Sequence, residues 1–169
     1  TREGKSLTIQ NSTIISRGKL GIVNSQSGNL ALRFNILQVI PTPGVESGKV
    51  CYLAEGYEPS HGGNFFSDNS CNPIVGEDQV KPYSGMRLGP MANYGGWTPT
   101  IPLRPASLGS PGSPAVDFGS GECPGLYYGS DPLKKDQRDK DRDPWCDSGS
   151  FELQLGENPT VVYLPLIAK

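Results

Sequence analysis

Between Leu30 and Ile40 the chain alternates apolar and polar positions: Leu30, Leu32, Phe34 and Ile36 are separated by Ala31, Arg33 and Asn35. The apolar phase then slips by one residue, to Leu37 and Val39. A period of two predicts a strand with one buried face, and the slip predicts a bulge or sharp twist within it. Upstream, Leu7, Ile9, Ile14, Ile15, Leu20 and Ile22 are broken at Gly18 and again at 25–29, which predicts a meander of short strands. Pro41-Thr42-Pro43-Gly44 ends this run, because neither proline can donate to a sheet, and 49–54 starts another strand carrying Cys51.

At the other end Phe151, Leu153 and Leu155 alternate with Glu152 and Gln154, and Gly156-Glu157-Asn158-Pro159 reads as a turn. Residues 160–168, T-V-V-Y-L-P-L-I-A, then complete a hairpin. That last strand is apolar on both faces and must be covered on both. Val161, Val162, Tyr163, Leu164, Leu166 and Ile167 are therefore the expected assembly surface, with Pro165 placing the strand at an edge.

From 56 to 149 the periodicity disappears. With 22 glycines and 16 prolines in 169 residues, helices are disfavoured throughout, since glycine costs backbone entropy and proline removes a donor. Ten of the fourteen aromatics lie in this stretch, which argues for loops ordered by ring packing rather than for disorder. The expected fold is one all-β domain over 1–169. Its core is an antiparallel sheet or sandwich built from 6–55 and 150–168, and 56–149 forms long Gly/Pro-rich ordered loops.

Fifteen basic and seventeen acidic residues are well mixed, giving a net charge of -2 and no polycationic surface, so nucleic acid is not an expected partner. The chain begins at Thr1 and has no apolar run long enough to span a bilayer, so neither an intact signal peptide nor a membrane span is expected. Cys51, Cys71, Cys123 and Cys146 form no C-x-x-C pair. Two disulfides are expected; of the three possible pairings, Cys51 with Cys71 and Cys123 with Cys146 is favoured because each closes a short loop, and bridges of either kind imply an oxidising, extracellular or cell-surface location.

Several stretches carry candidate chemistry. Asp139, Asp141 and Asp143 have the spacing that opens a calcium loop, but Pro144 stands where glycine is needed and Ser150 where a bidentate glutamate belongs. Interleaved Lys134, Lys135, Arg138, Lys140 and Arg142 make a solvated mixed-charge loop the expectation, with calcium a candidate only at those three aspartates. No other cofactor is expected: there is a single histidine, and Gly62-Gly63 and Gly95-Gly96 lack a following helix pattern.

Asp147-Ser148-Gly149 is similar to the nucleophile motif of chymotrypsin-like serine proteases, and His61 precedes it as in that family. Cys146 replaces the motif's preceding glycine, Ser150 and Phe151 replace the residues after it, and no aspartate is marked to orient His61. No catalytic residues are assigned.

Tyr94, Trp97, Tyr127 and Tyr128, flanked by Asn93 and Asp131, are candidate glycan contacts; the alternative is that these rings pack the loops onto the sheet. Asn11-Ser12-Thr13 is a glycosylation sequon, and 98–114 is a Ser/Thr/Pro-rich tract of the kind that carries O-glycans or forms an extended strap.

The expected function is a non-enzymatic structural subunit of an extracellular assembly such as a pilus or filament headpiece, fibre or surface layer. It would work by packing between subunits. A β headpiece with a C-terminal disulfide loop is similar in architecture to a pilin head. The apolar N-terminal helix of type IV pilins is lacking, so assembly would proceed by self-association or through a helix-bearing partner subunit. The alternative is a secreted carbohydrate-binding or adhesin module.

Overall fold

The computed structural model describes residues 6–18, 21–25, 29–46, 48–119, 121–125 and 131–159. Its strands are β1 (Ser6–Gln10), β2 (Thr13–Arg17), β3 (Val23–Ser25), β4 (Asn29–Arg33), β5 (Ile36–Ile40), β6 (Cys51–Leu53), β7 (Phe65–Phe66) and β8 (Gln79–Val80). A 3-10 turn at Asn69–Cys71 and a single α-helical turn at Tyr83–Met86 complete the regular structure.

The pairing corrects the expected antiparallel sheet. β1 pairs with β4, β2 with β5 and β3 with β6, each in parallel, and β5 continues in parallel to β7 and then β8. Each strand of the first turn thus lies beside the strand three further along the chain. The backbone winds as a coil, with β1-β2-β3 as its first turn and β4-β5-β6 as its second. The third turn runs through Ser60, which bridges to Leu32, and β7; β8 begins the fourth.

The sequence marks breaks at Gly18 and 25–29 and reads 30–40 as one strand, but the chain also turns corners at 11–12 and 34–35. By register, Asn11, Phe34 and Gly63 stack on one another two residues before Thr13, Ile36 and Phe65, and all three have positive φ (44°, 50° and 75°). The left-handed step swings the chain onto the next side of the coil instead of turning it back. The apolar slip at Leu37 is this corner, not a bulge: Leu30 and Leu32 on one side and Leu37 and Val39 on the next all join the same interior cluster.

Inside the coil, Leu32, Leu37, Val50, Phe66 and Cys71 are fully buried, with Tyr57 packed beside them. The other face of the β2-β5-β7-β8 sheet is buried as well. Ile36 and Phe65 sit beneath Met86, Leu88, Leu103, Ala115 and Phe151, all contributed by the second half of the chain. A short parallel sheet is stable when both faces are covered, and here the coil interior covers one and residues 83–159 the other.

That cover contains no strand longer than a single bridge among its described residues. It is pinned by isolated bridges at Leu88–Leu103, Ala92–Thr100, Ser107–Ser110 and Lys135–Asp141. Residues 151–159 form no strand where the first arm of the expected hairpin was placed: Phe151 is buried and Leu155 projects into solvent. The expected last strand, 160–168, with Val161 to Ile167, lies outside the described residues. No described helix is long and apolar enough to cross a membrane.

A buried polar ladder holds the corner of the coil. Ser12, Asn35, Asn64 and Asp78 stack in register on successive turns. The Ser12 N–H donates to Asn35 Oδ1 (3.1 Å), the Asn35 N–H to Asn64 Oδ1 (3.0 Å), and the Asn64 N–H to Asp78 Oδ1 (2.8 Å). The amide groups of Asn35 and Asn64 donate in turn to the carbonyls of Ile9 and Leu32 (2.8 and 3.0 Å). These bonds satisfy backbone groups that the corner removes from the sheet, which would otherwise each cost about 1–3 kcal/mol.

Candidate functional site

The segment D-P-W-C-D-S-G-S-F, 143–151, ties cover to coil. Ser148 is fully buried and its hydroxyl donates to the carbonyl of Gly63 (2.6 Å). The Gly149 N–H donates to Phe34 O (2.8 Å) and the Ser150 N–H to Thr13 Oγ1 (3.1 Å). Gly149 has φ 99°, and a Cβ there would lie 2.5 Å from Thr13 Oγ1 and 3.0 Å from Ile36 Cδ1, so glycine is required by both conformation and space. The protease-like triplet is thus used for docking: the proton a nucleophile would surrender is bonded to a backbone carbonyl. His61 is exposed, with its backbone N–H on Leu32 O.

Both expected disulfides are present, Cys51–Cys71 and Cys123–Cys146, with Cα separations of 5.1 and 4.8 Å. The first links β6 to the 3-10 turn inside the coil. The second secures the segment just described to the rest of the cover.

The charged stretch 134–143 differs from the expected solvated loop. Asp139, Asp141 and Asp143 are exposed, and Lys135 pairs with Asp141 at 2.7 Å. No group of His, Cys, Asp or Glu among the described residues is arranged to hold a metal ion. The neighbouring side chains, however, turn inward. Arg138 and Asp136 are completely buried side chains joined at 2.8 Å, Arg142 reaches Glu152 at 2.8 Å, and Arg138 also reaches Glu157 at 2.6 Å. The Arg138 guanidinium lies 3.5 Å from the centroid of the Phe151 ring. Alternation in sequence mixed exposed and buried charges, and charge patterning alone gave no sign of which were which.

Asp147 receives the backbone N–H groups of Asp117 (2.6 Å) and Leu153 (2.7 Å). Burial nevertheless pushes its carboxyl up to about 7, against the lowering effect of those bonds and with help from the charges of Asp117 and Asp143. Burial likewise raises Glu152, to about 8; the Asp147 charge adds to this and Arg142 opposes it. For Glu157 burial works upward, but hydrogen bonds from Arg138 and Lys140 outweigh it and hold the carboxyl below its ordinary value. The chemistry this cluster offers is electrostatic bracing, with Asp147 and Glu152 both titrating close to neutral pH.

An open groove of about 1210 Å³ runs between the Pro-rich strap and residues 153–159, with Arg87, Arg104, Asp117 and Asp143 among its lining groups. The Ser/Thr/Pro-rich tract supplies one wall of it. Of the candidate glycan contacts, Trp97 is 96% exposed, whereas Tyr94 is half-buried with its ring edge-on to Phe151 at 6.0 Å. The Trp97 loop is closed by the Ala92–Thr100 bridge and held by Gln137, whose amide donates to Thr98 Oγ1 (2.7 Å). Tyr127 and Tyr128 lie outside the described residues. Asn11 of the sequon is 6% exposed, with its amide nitrogen buried and without a protein partner.

Sequence reading missed two features. The asparagine ladder had one signal, the 23-residue spacing shared by Ser12 and Asn35 and by Ile14 and Leu37, which the next step of 29 residues to Asn64 does not keep. The buried charges had none.

The chain is a disulfide-bonded parallel β-coil carrying a loop-built cover, and its two disulfides fit an oxidising, non-cytoplasmic compartment. No protein-family model, curated protein or solved structure matches it.

Proposed function

We propose that this protein is a non-enzymatic structural module of an extracellular assembly, such as a filament headpiece, fibre or surface layer, working by packing between subunits. The observation that carries the reading is a coil sealed along its covered side but, among the described residues, open at its first turn. Ile9 and Ile14 stay half-buried there, while their register partners Leu32 and Leu37 are fully buried. Repetitive coils gain stability from each added neighbour, so an open end is a natural site for assembly. Negative-stain electron microscopy and light scattering of the unreduced protein test this. Regular particles, filaments or lattices are expected, and a monomer under every condition would contradict it.

Trp97 favours a second reading, a carbohydrate-binding module. A large ring held in solvent on a braced loop is a suitable stacking platform for a sugar. Trp97→Ala should leave stability within about 0.5 kcal/mol of the parent while abolishing retention on a glycan array. Equal retention by both proteins would remove this reading.

A further inference from the structure

We infer that the first turn of the coil receives the first turn of a second copy of this chain, head to head. This inference rests on the structural reading above and names its contact.

β1, β2 and β3 each lie at the end of their sheet, and among the described residues no strand pairs with them on the side away from β4, β5 and β6. The hydrogen bonds fix which groups face that side. The Asn11 N–H donates to Arg33 O, the Ile36 N–H to Ser12 O and the Gly18 N–H to Ile40 O. Ile9, Asn11, Ser12, Ile14 and Ser16 therefore direct their backbone groups to the second turn. In a parallel sheet alternate residues point opposite ways, so Thr8, Gln10, Thr13, Ile15 and Arg17 aim theirs at the open side.

The edge also lacks the usual protections against pairing. S-L-T-I-Q and T-I-I-S-R contain no proline and a single charge, Arg17. Ile9, Ile14 and Ile22 make the open end of the interior apolar.

The shape of the opening selects the partner. A lone strand would pair with one side and leave the other two edges and the apolar interior exposed. Only another coil end of the same cross-section covers all of them together, and the first turn of a second copy is such an end. The far end of the coil is not. β8 has two residues, and the ladder stops there at Asp78, whose carboxylate accepts from Asn64, Ser60 and Ile74 and has nothing to donate onward. A two-fold axis across the coil sets β2 antiparallel to its own copy and β1 against β3 of the copy. This closes the contact as a dimer, so a larger assembly built from it would use a second contact elsewhere on that dimer.

Light scattering and amide hydrogen exchange over a concentration series test this. A dimer is expected, with protection at Thr8, Gln10, Thr13 and Ile15 rising about tenfold or more as it forms. Thr8 is exposed and its N–H faces outward, so Thr8→Pro should remain folded by circular dichroism yet dimerise at least about tenfold more weakly. Assembly without protection at these amides, or an unaffected Thr8→Pro dimer, would overturn the head-to-head contact and leave the structural reading standing. A monomer at every concentration would overturn both.

Discussion

The two halves of this chain solve the same problem by opposite means. Residues 6–82 repeat: one corner conformation, one polar ladder and one interior cluster recur from turn to turn, so the ladder bonds have equivalents one turn away. Residues 83–159 repeat nothing. Their order comes from single contacts, including Arg138 on Phe151, Arg142 on Glu152, Ser148 on Gly63 and the Cys123–Cys146 bridge. A repeating structure spreads a local loss over its neighbours, whereas a structure of single contacts fails at each one.

The sharpest way to break the comparison is Arg138→Ala. It strands the buried Asp136 carboxylate and removes the bond to Glu157 and the contact over Phe151. Removing one partner of a buried ion pair costs about 3–5 kcal/mol, and the loss should fall on the cover, read as early denaturation at Trp97 and Trp145. Next comes Asn64→Ala, which leaves the Asn35 N–H without its acceptor and removes the Asn64 amide's bonds to Leu32 O, Ser60 Oγ and Asp78. About 3 kcal/mol is expected in urea melts, from groups costing roughly 1–3 kcal/mol each. Here the whole molecule should unfold together, because the cover rests on the coil.

The double substitution Cys123→Ser with Cys146→Ser opens a link spanning 23 residues and should cost about 3 kcal/mol. It should act on the cover alone, where the equivalent change at Cys51 and Cys71 acts on the coil.

The cover should also respond to pH. Asp147 and Glu152 ionise near 7 and 8 in the folded protein but near their ordinary values when unfolded, so the folded state holds extra protons between those limits. Stability therefore falls as pH rises from about 4 towards about 8 and levels off above. Denaturant midpoints across that range should show the decline, and Glu152→Gln should flatten it.

How much of this was legible in the sequence follows the same division. Leu30, Leu32, Leu37 and Val39 announced strands with a buried face, and the spacing of the cysteines announced both bridges. The partner of each strand was not legible, because alternation fixes which face is buried and says nothing of what lies alongside. Asn11-Ser12 and Phe34-Asn35 contain no glycine or proline to mark a break, and it is the positive φ of Asn11 and Phe34 that makes them corners of a coil. In the cover, Arg138 and Arg142 look like Lys134 and Lys135 in sequence, and burial of the first two depends on Phe151 and Glu152, more than nine residues away.

The most direct test of this division is native-state hydrogen exchange, comparing protection factors at about pH 5 and about pH 8.5. Protection at Leu153 and Ser148 in the cover should fall with rising pH while that at Asn35, Asn64 and Phe65 in the coil stays constant. Equal loss in both halves, or a loss confined to the coil, would contradict the account of a repeating coil under a singly bonded, charge-braced cover.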